Sequence, residues 1–139
     1  QNRALKQLGS AVTDENYKTI IDATFDKLRS LNPAISVTIT AGNRGSWAWD
    51  GQQVHFVPAL QVPVVSTAGA GDAFFAGLLS GITAGLPLPL AQELGTLVAA
   101  CSVTSPHTIH PALDRGSLAA LVKQIHPRLS KQVLALLKL

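Results

Sequence analysis

The sequence predicts an α/β domain. Three observations carry that expectation: β-branched residues that alternate from Ile35 to Thr40, an Asp50-Gly51 pair between two further alternating runs, and apolar residues at helical spacing on both sides of them. Thr13, followed by Asp14 and Glu15, reads as a helix start, with acids near the positive end of the helix dipole. Tyr17, Ile20, Ile21, Phe25 and Leu28 then recur on one helical face, and Asn32-Pro33 ends the element. In "AISVTITAG", Ile35, Val37 and Ile39 alternate with Ser36, Thr38 and Thr40, the pattern of a strand. "SWAWDGQQVHFV" reads as a hairpin turning at Asp50-Gly51. "QVPVV" reads as a further short β-rich run.

Residues 72–84 read as a buried helix closed by Gly85. Pro87 and Pro89 suit the first turn of the next helix, which carries Leu90, Leu94, Leu97, Val98 and Cys101. "SPHTIHP" is a loop by composition, and two amphipathic helices follow, around 116–126 and 128–137. There is no internal repeat or low-complexity segment.

Composition narrows the functional classes. A chain of 139 residues with 47% hydrophobic and 14% charged residues supports one packed domain rather than a disordered segment. The net charge of +3 comes from scattered basic residues, without the stripe or aromatic platform of a nucleic-acid binder. The lone cysteine, Cys101, cannot form an internal disulfide, which points to a reducing, cytoplasmic compartment. No apolar run reaches the ~18 residues of a membrane span.

The most informative stretch is "STAGAGDAFFAG", residues 66–77. Asp72 is the only formally charged side chain between Asp50 and Glu93. A glycine-rich turn entering a helix presents unpaired amides and the positive dipole end, a combination that attracts phosphate. The bland alternative is a tight turn with Asp72 as an ordinary cap. The stretch is not a dinucleotide fingerprint, because Phe74 occupies the third glycine position, and no Gly-Lys-Ser/Thr makes it a Walker loop. A carboxylate would repel a resting phosphate. It suits a site where the acid takes a proton from a hydroxyl while neighbouring amides hold the arriving phosphoryl group.

"VVSTAGAGDAFFAGLLSGITAGLPL" resembles the second signature of the ribokinase-like (PfkB) carbohydrate kinases, whose core reads Asp-Thr-x-Gly-Ala-Gly-Asp. "VTITAGNRGSWAWDGQQVHFVPALQVPVV" is similar to the family's Thr-x-Gly-x-x-Gly segment and hairpin, and "AQELGTLVAACSVTSP" extends the likeness forwards. The resemblance implies the C-terminal portion of a Rossmann-like three-layer α/β/α fold. It implies Asp72 as catalytic base and Gly69, Ala70 and Gly71 as the anion hole. It further implies Thr40, Gly42 and Gly45 as a loop beside the nucleotide, and Thr96 and the segment near Val103 as lining of the adenine pocket. ATP with Mg²⁺ is the implied donor, a sugar or nucleoside hydroxyl the implied acceptor, and no protein cage for the metal is readable.

Departures from the family pattern matter as well. Ser66 stands where the signature has its first acid, which weakens any monovalent-cation site. Asn2-Arg3-Ala4-Leu5 lacks the Glu of the family's Asn-x-x-Glu segment. Family kinases are longer, and their first portion supplies acceptor-binding acids and a lid. The absence of methionine adds to the expectation that residues 1–139 are the C-terminal, nucleotide-binding and catalytic half, inactive alone and prone to homo-oligomerise through exposed apolar edges. The alternative is a non-catalytic nucleotide-binding or assembly fragment of that fold.

Other residues invite plainer readings. His107 and His110 read as loop polar groups, His55 and His126 as incidental, and Cys101 as a buried inert thiol. Trp47 and Trp49 share a strand face and read as packing. Arg44, between the loop glycines, reads as a phosphate contact or a solvated charge.

Overall fold

The computed structural model describes residue 13 and residues 15–139. Asn2-Arg3-Ala4-Leu5 and Asp14 lie outside the described residues. The first helix, α1, spans Tyr17–Leu31, so it begins later than Thr13, and its first turn holds no acid. Asn16 is its N-cap, and the Asn16 side-chain oxygen accepts the Thr13 amide at 2.8 Å. The local side chain thus satisfies the approach to the helix and not its first turn. Asn32 closes α1, with its amide donating to the Leu28 carbonyl.

Strands β1 (Val37–Thr40), β2 (Ser46–Trp49) and β3 (Val54–Val57) form an antiparallel sheet in that order. Thr40 pairs with Ser46 and Ser46 with Val57, so the Gly42–Arg44 3₁₀ turn sits above one end of the sheet. Side-chain alternation sends Trp47 and Trp49, with Val37 and Ile39, toward α1, where Ile21 and Phe25 are buried against them. The Arg29 guanidinium lies 3.9 Å from the Trp49 ring centre. Ser46 and Ala48 point the other way and are buried below the long helices.

"QVPVV" is not a strand. Pro63 has no amide to donate, and the Val65 and Ser66 amides both donate to the Val103 carbonyl. Helix α2 spans Ala70–Thr83 and α3 spans Leu88–Ser102. They pack closely because small residues face each other. A Cβ added to Gly77 would stand 2.9 Å from the Gly95 Cα, and one on Gly95 would stand 2.8 Å from the Phe74 carbonyl oxygen. The expectation of a buried helix over 72–84 holds for one face only. Phe74, Gly77, Leu78 and Gly81 are buried, while Phe75, Leu79 and Ile82 form an exposed apolar stripe.

Helix α4 (Arg115–Ile125) starts in a capping box. Asp114 accepts the Ser117 amide at 2.7 Å and the Ser117 hydroxyl oxygen accepts the Asp114 amide. Helix α5 is shorter than the pattern suggests, Lys131–Leu136. Leu97 of α3 and Val133 of α5 are fully buried in the main core with Leu118, Leu121 and Val122. Burying a side chain of this size stabilises by about 1.5–3 kcal/mol. Helix α1, the sheet and the α2–α3 pair make three layers, in keeping with the C-terminal portion of a ribokinase-like fold.

Candidate functional site

The turn into α2 is built by Gly69, the N-cap, at φ 78 and ψ 0. A side chain there would also collide with the Thr108 carbonyl, so both backbone conformation and close approach require glycine. The Ala70 amide donates to Thr67 and that of Ala73 to Gly69. Between them, the Gly71 and Asp72 amides have no partner among the described residues. These are the orphan donors of a helix start, and they face outward at its positive end. Asp72 is exposed, and its carboxylate makes no hydrogen bond or ion pair among the described residues.

Beside this turn lies a cleft of about 380 Å³. Thr40 bounds it from β1, Gly42 and Gly45 from the turn after it, Ala70 and Gly71 from α2, Thr96, Ala99 and Ala100 from α3, and Val103 from the end of that helix. Thr40, Gly42, Gly45, Ala70, Gly71, Thr96 and Val103 therefore line one cavity, whereas Arg44 does not and Gly69 caps the helix whose first turn does. Asp72 stands next to Gly71 at the margin and does not line the cleft. Gly45 takes φ 99 and lies against Val57, so the loop can bend tightly over the sheet.

Sequence reasoning missed the wall formed by Ala59, Leu60, Gln61, Val62 and Val64, and also Asn43 and Ser46. An apolar run without periodicity offers no signal that one side will face a cavity. No lysine, arginine, aspartate or glutamate lines the cleft, so its polar groups are neutral: Asn43, Gln61, Ser46, and the hydroxyls of Thr40, Thr67 and Thr96. An uncharged pocket beside an amide-rich helix start fits a molecule with a flat neutral part and an anionic tail. Among the described residues there is no group of three or more His, Cys, Asp or Glu able to hold a metal ion.

The remaining candidates separate clearly. Arg44 does not line the cleft, and its guanidinium lies 5.5 Å from the Tyr17 ring centre, toward α1. His55 is not incidental: its Nε2 lies 2.5 Å from Asp50 Oδ2. The amides of Gln53 and Gln52, then His55, hold the Asp50 carboxyl down at about 2. The Ser66 hydroxyl oxygen accepts the Ala68 amide at 3.3 Å, a local turn contact. His110 Nδ1 accepts the Ala112 amide at 3.1 Å, which gives that histidine a loop-shaping contact. Cys101 is buried, and burial pushes its thiol up.

Residues 11–115 match the model of the pfkB family of carbohydrate kinases. A fructoselysine 6-kinase of Shigella flexneri is 46% identical over 68 residues, 49% of this chain and 26% of that enzyme. An inositol 3-kinase of Arabidopsis thaliana is 29% identical over 107 residues, 77% of this chain and 30% of the relative. Among solved structures, a Burkholderia thailandensis nucleoside kinase in complex with inosine matches with a TM-score of 0.64 and 26% identity. That match covers 84% of this chain and 40% of the kinase. Adenosine kinase from Sinorhizobium meliloti matches with a TM-score of 0.58 and 30% identity, covering 72% of this chain and 30% of that one. The chain thus spans well under half the length of these relatives. Among the described residues, no helix is long and apolar enough to cross a membrane.

Proposed function

We propose, from the premise that this chain belongs to the pfkB family of carbohydrate kinases, that it carries the nucleotide-binding and phosphotransferase part of an ATP-dependent small-molecule kinase. The observation that carries this reading is the position of Asp72. It stands exposed beside two unpaired amides, one residue from a neutral cleft of nucleotide size.

In this reading the neutral cleft takes the base and ribose of ATP, and the Gly69–Gly71 turn receives the phosphates. ATP supplies the phosphoryl group. The chain's own residues do the rest. Asp72 accepts the proton of the acceptor hydroxyl, and the Gly71 and Asp72 amides neutralise charge growing on the transferred group. Mg²⁺ would reach the site with the ATP phosphates, where it would neutralise charge on the transferred group. The acceptor is a sugar or nucleoside hydroxyl, and the site works in the cytoplasm. Ser66, engaged in its local turn, supplies no acid for a monovalent cation.

The chain by itself is a poor catalyst. Asp72 is exposed, and nothing among the described residues covers it from water. A non-catalytic nucleotide-binding role for the isolated chain is the second reading, favoured by that same exposure.

Asp72→Asn in a complete kinase carrying this segment tests the assignment. Turnover should fall by about 10²–10⁴, with nucleotide affinity nearly unchanged. An Asp72→Asn enzyme that keeps most of its activity would remove Asp72 from the role of base.

A further inference from the structure

Gln92 lies on α3, faces the sheet and is fully buried. Its Nε2 donates to the Ser46 hydroxyl oxygen at 2.9 Å, across 46 residues of chain. Ser46 is itself only 2% exposed, follows Gly45 directly and lines the cleft. One helical turn beyond Gln92, the Thr96 hydroxyl donates to the Gln92 carbonyl at 3.0 Å, and Thr96 lines the same cleft. A hydroxyl that accepts from an amide N–H keeps its own proton to give. With the Gln92 amide in this orientation the Ser46 proton has no acceptor among the described residues, and Gln92 Oε1 is likewise buried without a partner. A buried donor without a partner is costly, and that cost disappears when a ligand brings the acceptor.

We propose that the Ser46 hydroxyl donates a hydrogen bond to the nucleoside part of the nucleotide, and that Gln92 is the positioning residue that orients it. The assignment to the nucleoside part rests on the reading of the cleft given above. It follows from the lining, which is neutral around Ser46, whereas the free amides that suit phosphate lie at the α2 turn. By donating to one lone pair of the Ser46 oxygen, the Gln92 amide directs the Ser46 proton away from itself, and Ser46 lines the cleft. It also ties the Gly42–Gly45 loop to the α3 wall, so loop and wall meet the ligand together.

A double-mutant cycle tests this. Ser46→Ala, Gln92→Met and the double variant are made in the 139-residue chain, with folding checked by circular dichroism. Affinities for MgATP, ADP and adenosine are measured by calorimetry. Ser46→Ala should weaken all three by the same factor, ~3- to 10-fold. Gln92→Met should weaken them less, and should add nothing in the Ser46→Ala background. Hydrogen exchange without nucleotide should speed up at residues 42–47 in Gln92→Met.

An equal further loss on adding Gln92→Met to Ser46→Ala would show that Gln92 acts on the fold and not through Ser46, and would overturn its role. A Ser46→Ala loss confined to MgATP would place the contact on phosphate and overturn the nucleoside assignment. Unchanged affinities on a wild type that binds would remove Ser46 from the site while leaving the kinase reading intact. A wild type that binds none of the three ligands would instead remove the nucleotide reading itself. Ser46→Ala deletes one oxygen, so it remains decisive even if Gln92→Met fails to fold.

Discussion

The carbonyl of Thr108 lies against the α-carbon of Gly69, so the loop after α3 braces the turn that opens α2. The two segments are far apart in sequence, and the contact leaves no room for any side chain at position 69. The turn is therefore held from outside as well as by its own hydrogen bonds.

Gly69→Ala should lose both its conformation and its space. A non-glycine residue in the left-handed region costs about 1–2 kcal/mol, and the collision with Thr108 adds to that. Urea unfolding should show a loss of at least this size, together with weakened nucleotide binding. A variant as stable as the parent would mean that the loop moves aside freely.

Glu93 latches the last helix. Its two carboxylate oxygens accept from the Ser130 amide at 2.7 Å and the Ser130 hydroxyl at 2.8 Å, just before α5. Charge-assisted bonds of this kind are worth about 1.5–3 kcal/mol. Glu93→Ala should destabilise by about that amount in urea unfolding and raise hydrogen exchange at residues 131–136 above the rest of the chain. Uniform exchange changes would show that the latch is not local.

Asp50 makes hairpin stability depend on acid. Its carboxyl is held at about 2 against an ordinary 3.8, by the Gln53 and Gln52 amides and His55. A depressed carboxyl contributes its full stabilisation above the unfolded value and loses it as the pH falls through the folded one. The difference in melting temperature between the parent and Asp50→Asn should begin to shrink as the pH falls to ~5, a unit above the unfolded value, and continue to shrink through pH 3.8 toward pH 2. A difference that persists unchanged below pH 2 would place its origin elsewhere.

Phe75, Leu79 and Ile82 leave α2 with an exposed apolar stripe, next to the unpaired edge of β1 among the described residues. Such a face favours self-association of the isolated chain. Leu79→Lys should lower the associated fraction in light scattering, with stability changed by no more than about 0.5 kcal/mol, as at other surface sites. An unchanged particle size distribution would acquit the stripe.

Local rules account for what was legible. The hairpin, the end of α1 at Asn32 and the two terminal helices follow from period and turn chemistry, which act over a few residues. The same reasoning failed where a local pattern had two outcomes. The apolar run from Ala73 to Ile82 reads as buried on all sides, yet only the face toward Gly95 is covered. "QVPVV" has the composition of a strand, but its Val65 amide goes to Val103 instead of a neighbouring strand. His55 carries no sign in the sequence that it will meet Asp50, because the register of the hairpin decides that contact.

The sequence by itself determined the α/β class, the glycine turn with its single acid and the family likeness, because each depends on residue types at short fixed spacings. Only the tertiary structure decided that Thr40, Gly42 and Gly45 would share a cleft with Gly71 and Thr96. That meeting depends on the close α2–α3 approach at Gly77 and Gly95 and on the Gln92–Ser46 bond. Those are contacts between residues remote along the chain, selected by shape and burial, which no local pattern encodes.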